Sequence, residues 1–131
     1  AFGIIGRLNE TPVNQIYYHI LPHLTFFYNF IELNYQEPIK LKAAADLVNM
    51  SESAFSHFFK KKTNFTFIEY VTNLRIAHAC QMLTETSHTV AEICYSCGFN
   101  NLSNFIRTFK KKKGNTPNEY RIILQQLLIK Y

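Results

Sequence analysis

Tryptophan is absent from these 131 residues, and there are only four glycines and three cysteines. So little glycine argues against a turn-rich sheet fold, and no alternating strand pattern competes with the helical spacing described below. Cys80, Cys94 and Cys97 are an odd number without the look of a disulfide framework, which points to a reducing compartment such as the cytoplasm. No apolar run reaches the roughly eighteen residues of a membrane span, and no charged-then-apolar signal segment opens the chain. Catalytic signatures are missing as well. There is no glycine-rich phosphate loop, no nucleophile beside a base and no convincing pair of acids, so no enzyme activity is expected. The chain opens at Ala1, without a methionine and in mid-pattern, and reads as a piece of a longer protein.

What the chain does have is one stretch twice. Phe55-Ser56-His57-Phe58-Phe59-Lys60-Lys61-Lys62-Thr63-Asn64-Phe65-Thr66-Phe67-Ile68-Glu69-Tyr70 aligns, fifty residues on, with the run from Phe105 to Tyr120, and eight of the sixteen positions are identical. The shared residues are two Phe, three Lys, and the Thr, Glu and Tyr that follow. A repeated aromatic-and-lysine element implies two copies of one binding unit at a fixed separation. The charge agrees. Residues 1–37 carry Arg7 against Glu10, Glu32 and Glu37, a net of −2, whereas residues 38–131 carry thirteen Lys and Arg against six acids, a net of +7. The basic part is the duplicated part, so a polyanion, and DNA first, is the partner to consider.

Starts and stops of helices are written locally. Thr11-Pro12 reads as an N-cap and first helical residue of a segment that runs to about Leu21, where Pro22 ends it. A second helix is expected from about His23 to Asn34, then a short one from Lys40 to Val48, before Ser51 caps a helix carrying Phe55, Phe58 and Phe59. A long helix follows from about 66 to 84. Thr89 opens a short helix that ends at Gly98, Asn100 or Asn101 caps another to about Lys113, and Thr116-Pro117 starts a terminal one. Three Thr-x-x-Glu pairs, Thr66/Glu69, Thr89/Glu92 and Thr116/Glu119, have the spacing of capping boxes, in which the Thr hydroxyl takes the N3 amide and the Glu reaches back to the cap amide. The fold class is therefore all-α.

Each half also shows the same grammar between its short and its aromatic helix: a small residue, four positions on a residue tolerant of left-handed geometry, then an apolar residue and a polar cap. These are Ala45, Asn49, Met50 and Ser51 in one half, and Cys94, Gly98, Phe99 and Asn100 in the other. A small side chain lets two helices approach, and Asn or Gly takes the positive φ of a tight turn. This is helix-turn-helix architecture, whose second helix enters a major groove. Two such units, about 39–62 and 89–113, are expected to be joined by the long helix at about 66–84.

The run Gly98-Phe99-Asn100-Asn101-Leu102-Ser103-Asn104-Phe105, with Arg107, Phe109-Lys110-Lys111 and Thr116-Pro117-x-Glu119-Tyr120-Arg121, resembles the DNA-binding domain of the AraC/XylS family of bacterial transcription regulators. Ile39 to Tyr70, Val90 to Arg121 and the joining Arg75-Ile76-Ala77-His78-Ala79-Cys80-Gln81-Met82-Leu83 carry the resemblance, which spans roughly residues 24–121. It implies a DNA-binding domain over about 23–131. Residues 1–22 would then be a linker and residual helix following an absent N-terminal, often cupin-like, sensor. It also implies a promoter as partner, no cofactor, and activation through RNA polymerase. The fragment is expected to be a monomer, with dimerisation left to the absent domain. The same type of domain accompanies alkyl transfer by zinc-bound cysteine in adaptive-response DNA-repair proteins, but the cysteines here lack that spacing. A non-specific architectural DNA binder is the third reading.

Helical spacing sorts the two aromatic helices without help from the family. Phe55, Phe58, Phe59 and Lys62 form one stripe, so Ser53, Ser56, His57 and Lys60 face away. Phe105 and Phe109 point inward, leaving Leu102, Ser103, Ile106, Arg107 and Lys110 outward. The resemblance implies base contacts from Ser53, Ser56 and His57 in one helix and from Leu102, Ser103, Asn104, Ile106 and Arg107 in the other, with Lys60 and Lys110 on phosphates. Arg107 has the most to offer, since a guanidinium bonds a guanine edge in bidentate fashion, worth about 1–3 kcal/mol of discrimination. His57 stands where the family usually has Arg, with fewer donors. Leu102 and Ile106 stand where polar residues are common and are suited only to thymine methyls or groove shape. About eighteen residues of connecting helix make a rod of about 27 Å, against about 34 Å between successive major-groove faces, so some DNA bending or partial engagement of one unit is expected.

Blander readings stand beside these. The lysine runs also suit solvated helix ends, where cations complement the dipole. Cys94-x-x-Cys97 has metal or redox spacing but falls at core positions, and no metal is expected. His19 and His23 straddle Pro22 and read as structural. Tyr70 and Tyr120 are expected to pack under the aromatic helices. Arg75 and Arg121 either fix helix junctions or touch phosphate.

Overall fold

The computed structural model describes residues 22–130. The helix expected from Thr11 to Leu21, and with it His19 of the histidine pair, lies outside them. Seven helices make up the described chain: α1 (Pro22–Asn34), α2 (Leu41–Leu47), α3 (Glu52–Thr63), α4 (Phe67–Glu85), α5 (Val90–Ser96), α6 (Leu102–Lys113) and α7 (Pro117–Lys130). Among the described residues there is no strand, and no helix is long and apolar enough to cross a membrane.

The caps follow the sequence closely. Ala54 N donates to Ser51 Oγ at 3.1 Å, Glu69 N to Thr66 Oγ1 at 3.1 Å, Glu92 N to Thr89 Oγ1 at 3.1 Å, and Glu119 N to Thr116 Oγ1 at 3.2 Å. At Thr66 the box is completed by Thr66 N donating to Glu69 Oε2 at 2.9 Å. At the other two boxes the glutamate engages a side chain: Glu92 Oε2 lies 2.8 Å from His88 Nδ1, and Glu119 Oε1 accepts from the Thr116 hydroxyl at 3.0 Å. Between Asn100 and Asn101, Asn101 is the cap, accepting from Asn104 N at 2.8 Å.

The two turns share one construction. Asn49 (φ 56°) and Gly98 (φ 96°) take the left-handed position after α2 and α5. Met50 N reaches back to Ala45 O and Asn49 N to Asp46 O, while Phe99 N reaches Cys94 O and Gly98 N reaches Tyr95 O. These are paired Schellman closures, which satisfy the last carbonyls of each short helix. The second turn is one residue longer, because Asn100 intervenes before the cap; Met50 leads straight into Ser51. Both aromatic helices end alike, at Asn64 (φ 65°) and Gly114 (φ 84°).

Two cores result, and α4 serves both. The first gathers Phe27 and Ile31 of α1, Ala44 and Ala45 of α2, Phe55 and Phe59 of α3, and Phe67 and Val71 of α4. The second gathers Ile76, Ala79 and Leu83 of α4, Ile93 and Cys94 of α5, Cys97, Phe99, and Phe105 and Phe109 of α6. At about 100° per residue, Phe67 and Val71 lie on nearly the opposite side of α4 from Ile76, Ala79 and Leu83. One rod thus carries a helix-turn-helix unit on each of two faces. The aromatic packing repeats: Phe59 meets Tyr70 at 5.5 Å and 85°, and Phe109 meets Tyr120 at 5.4 Å and 81°. Edge-to-face contacts of this kind add to plain area burial.

Candidate nucleic-acid interface

In each unit the aromatic helix shows its core the same two rings, so the same positions are left outward. Phe55 and Phe59 are fully buried in α3, as are Phe105 and Phe109 in α6. Ser53, His57 and Lys60 are exposed on the opposite side of α3, and fifty residues on Ser103, Arg107 and Lys110 are exposed on α6. Asn104 is exposed beside them and Ser56 is half-buried at the margin.

Leu102 and Ile106 need correction as outward-facing residues. Both are half-buried and packed against the second core. They sit within about 100° of the Phe105 direction on the helix, and an apolar side chain at the edge of a core rolls onto it. Only their outer edges remain available to a ligand.

Two of the exposed groups, Arg107 and Lys60, are held from within the chain. Arg107 Nη2 donates to Asn104 Oδ1 at 3.1 Å, so the guanidinium is oriented along the outer face by the residue one turn before it. Lys60 Nζ donates to Asn64 O at 3.2 Å and stands 3.9 Å from Glu69 Oε2. Glu69 itself lies below the ordinary carboxylate range, first because it accepts the Thr66 amide and then because Lys60 and Lys112 are near. Exposed ion pairs of this sort are weak. Lys62, which spacing assigns to the phenylalanine stripe, is exposed, because a terminal lysine at the end of the helix reaches past the core into solvent; with Lys61, Lys111, Lys112 and Lys113 it widens the basic surface at the ends of α3 and α6.

Arg75 and Arg121 are junction residues. Arg75 Nε donates to Tyr35 O at 2.8 Å and its Nη2 to Glu37 O at 3.1 Å. Arg121 Nε donates to Leu83 O at 3.1 Å and its Nη2 to Thr86 O at 3.3 Å. Arg121 joins two carbonyls at the C-terminal end of α4, which helix geometry leaves unpaired, and Arg75 joins two carbonyls of the loop that follows α1. Sequence reasoning left their role open, because the partners are 35 to 40 residues distant.

Cys94 and Cys97 are buried in the second core, and Cys80 packs half-buried at its edge. Burial pushes the Cys94 thiol up and the Cys97 thiol to about 11. Cys97 Sγ lies 3.8 Å from Met82 Sδ. A buried, fully protonated thiol is a poor nucleophile and a poor metal ligand. Among the described residues no three His, Cys, Asp or Glu side chains gather as a metal site.

Residues 44–122 match the family model described as a helix-turn-helix domain. The chain belongs to the AraC/XylS family. Among solved structures, an AraC-type transcriptional regulator from Chromobacterium violaceum is 30% identical with a TM-score of 0.72, the match covering 77% of this chain and 90% of that one. The DNA-binding domain of AdpA, solved in complex with a target DNA, shares the fold at a TM-score of 0.75 and 20% identity, over 79% of this chain and 93% of that one. The melibiose operon regulatory protein of Escherichia coli K12 is 26% identical over 123 residues, 94% of this chain. The chain spans only 41% of the length of that regulator. With the family in view, the expected all-α double helix-turn-helix architecture is the one observed, and the chain is an AraC-type DNA-binding regulator domain.

Proposed function

We propose that this domain reads a specific double-stranded DNA sequence by setting α3 and α6 into successive major grooves. The observation that carries the reading is the recurrence of Ser53, His57 and Lys60 as Ser103, Arg107 and Lys110, exposed in both units opposite the same buried phenylalanine pair. Ser53, Ser56 and His57 read bases in one groove. Ser103, Asn104 and Arg107 do so in the other, with the outer edges of Leu102 and Ile106 against thymine methyls. Lys60 and Lys110 grip phosphates and set the register. The nineteen residues of α4 span about 28 Å, short of the roughly 34 Å between groove faces on one side of the duplex, so the bound DNA bends toward the protein. Two different readers in one chain recognise an asymmetric site as a monomer.

In this reading the domain acts in the bacterial cytoplasm at the nucleoid, as the DNA-binding end of a longer regulator. That regulator activates transcription by recruiting RNA polymerase, and any palindromic site requires dimerisation outside this chain. Selection of DNA from a random pool by the 131-residue chain, at physiological salt, tests the central claim. Two motifs about one helical turn apart are expected. A single short motif would reduce one unit to a backbone clamp, and binding without enrichment that collapses steeply with salt would remove sequence specificity altogether.

A further inference from the structure

The loop after α1 belongs by sequence to the first unit, yet it is lodged against the second. Gly98 lies in the turn of the second unit, and a Cβ there would collide with Tyr35 O, come within 2.8 Å of Arg75 Nε and within 3.2 Å of Gln36 Cα. From the middle of α4, Arg75 holds the same loop through Tyr35 O and Glu37 O. The Tyr35 ring stacks on His78 of α4, with centroids 4.1 Å apart and planes 3° from parallel, and His78 Nε2 stands 3.0 Å from Glu32 Oε1 of α1. Burial raises the Tyr35 phenol and lowers the Arg75 guanidinium from their ordinary values, as expected of groups taken out of water.

We infer that the Tyr35–Glu37 loop, held by Arg75 and seated on Gly98, is a clamp that fixes the two helix-turn-helix units relative to one another and so sets the DNA spacing they accept. A shared helix fixes the separation of two bodies but does little against each body rolling or bending about it. A tie off the helix axis supplies that restraint. Arg75 suits the task because its planar fork bonds two carbonyls at once, a geometry that lysine does not reproduce. For DNA the consequence follows from linkage. Two readers held rigidly reinforce each other at one spacing, and loosened readers tolerate several at lower avidity. Arg75 is here a positioning residue and touches no DNA. Only this last consequence depends on the DNA-reading proposal; the clamp itself does not.

The test is therefore made first without DNA. Spin labels attached to the full chain through Ser53→Cys and Ser103→Cys, in a Cys80→Ser background with Cys94 and Cys97 buried, report the distance between α3 and α6. A narrow distribution is expected for the parent, and a broadened one for Arg75→Ala and for Gly98→Ala. Arg121→Ala removes an equivalent two-carbonyl bond inside the second unit and should leave the distribution narrow. A distribution unchanged by Arg75→Ala or Gly98→Ala in folded protein overturns the inference, and so does equal broadening by Arg121→Ala, which would mark general loosening. If Arg75→Ala does not fold, Gly98→Ala, whose methyl would crowd both Tyr35 O and the Arg75 guanidinium that holds it, decides alone. DNA selection with Arg75→Ala and Gly98→Ala made singly in the unlabelled parent, with Ser53, Ser103 and Cys80 intact, then reads the consequence: both motifs persist, and their fixed spacing is lost. A parent chain that selects no two-part site would sink the DNA-reading proposal and leave the distance result standing.

Discussion

Arg107 and Lys110 lie one turn apart on α6, both exposed and both basic, yet their surroundings give them different work. Arg107 is aimed by Asn104, whereas Lys110 stands in the last turn, beside the left-handed end at Gly114. Arg107→Ala should abolish discrimination at one base pair, costing about 1–3 kcal/mol there. Lys110→Gln should weaken all sequences alike and reduce the salt slope by about one. Affinities for single-base variants of the selected site, measured at two salt concentrations, separate the two; uniform weakening by Arg107→Ala would favour an architectural binder. Asn104→Ala should reproduce part of the Arg107→Ala loss at the Arg107 base pair by freeing the guanidinium, in addition to losing its own base contact. At this scale the outward faces were legible because a helix repeats every 3.6 residues, so Phe105 and Phe109 alone locate Ser103 and Arg107. Leu102 and Ile106 were misjudged because both fall within about 100° of Phe105 and so border the core rather than oppose it. The partners of Arg75 and Arg121 are invisible to any local rule.

At the scale of the element, the caps turn pH into stability. Glu69, Glu92 and Glu119 all lie below the ordinary value of 4.5, held there by the Thr66 amide, the His88 side chain and the Thr116 hydroxyl respectively. A carboxylate whose folded value is depressed contributes stability that is complete above its unfolded value and is lost as the pH falls through the folded one. The difference in unfolding free energy between the parent and Glu69→Gln should therefore be present at neutral pH and fade below about pH 4.5. Denaturant titrations at pH 7 and in the acid range would reveal it; a gap that stays constant to low pH would mean that the carboxylate charge contributes nothing. Thr66→Ala, which removes the acceptor for Glu69 N, should cost about 1 kcal/mol by the same measurement. The threonine half of each cap is readable because its amide partner is three residues away, whereas the His88 contact that diverts Glu92 lies outside that spacing. Asn100 and Asn101 were not separable, since both can cap and only the longer second turn decides between them.

For the molecule as a whole, the question is whether two cores on one helix unfold as one body. No single apolar stripe runs along α4, because Phe67 and Val71 serve the first unit and Ile76, Ala79 and Leu83 the second. A sequence pattern that averages over the helix therefore identifies a connector but not its two faces. Phe59→Ala and Phe109→Ala remove equivalent, fully buried rings and should each cost about 3–5 kcal/mol. The losses should fall in different places. In amide hydrogen exchange, Phe109→Ala should strip protection from α5, α6 and the 76–83 half of α4, leaving α2 and α3 protected. Phe59→Ala should do the reverse, exposing α2, α3 and the start of α4. Since α4 is continuous, each lesion also removes packing from a helix the other unit needs, so the spared unit should be weakened but still slower to exchange. Uniform loss of protection along the chain in both variants would mean that the shared helix makes the two readers a single cooperative unit, and neither reader could then loosen without the other.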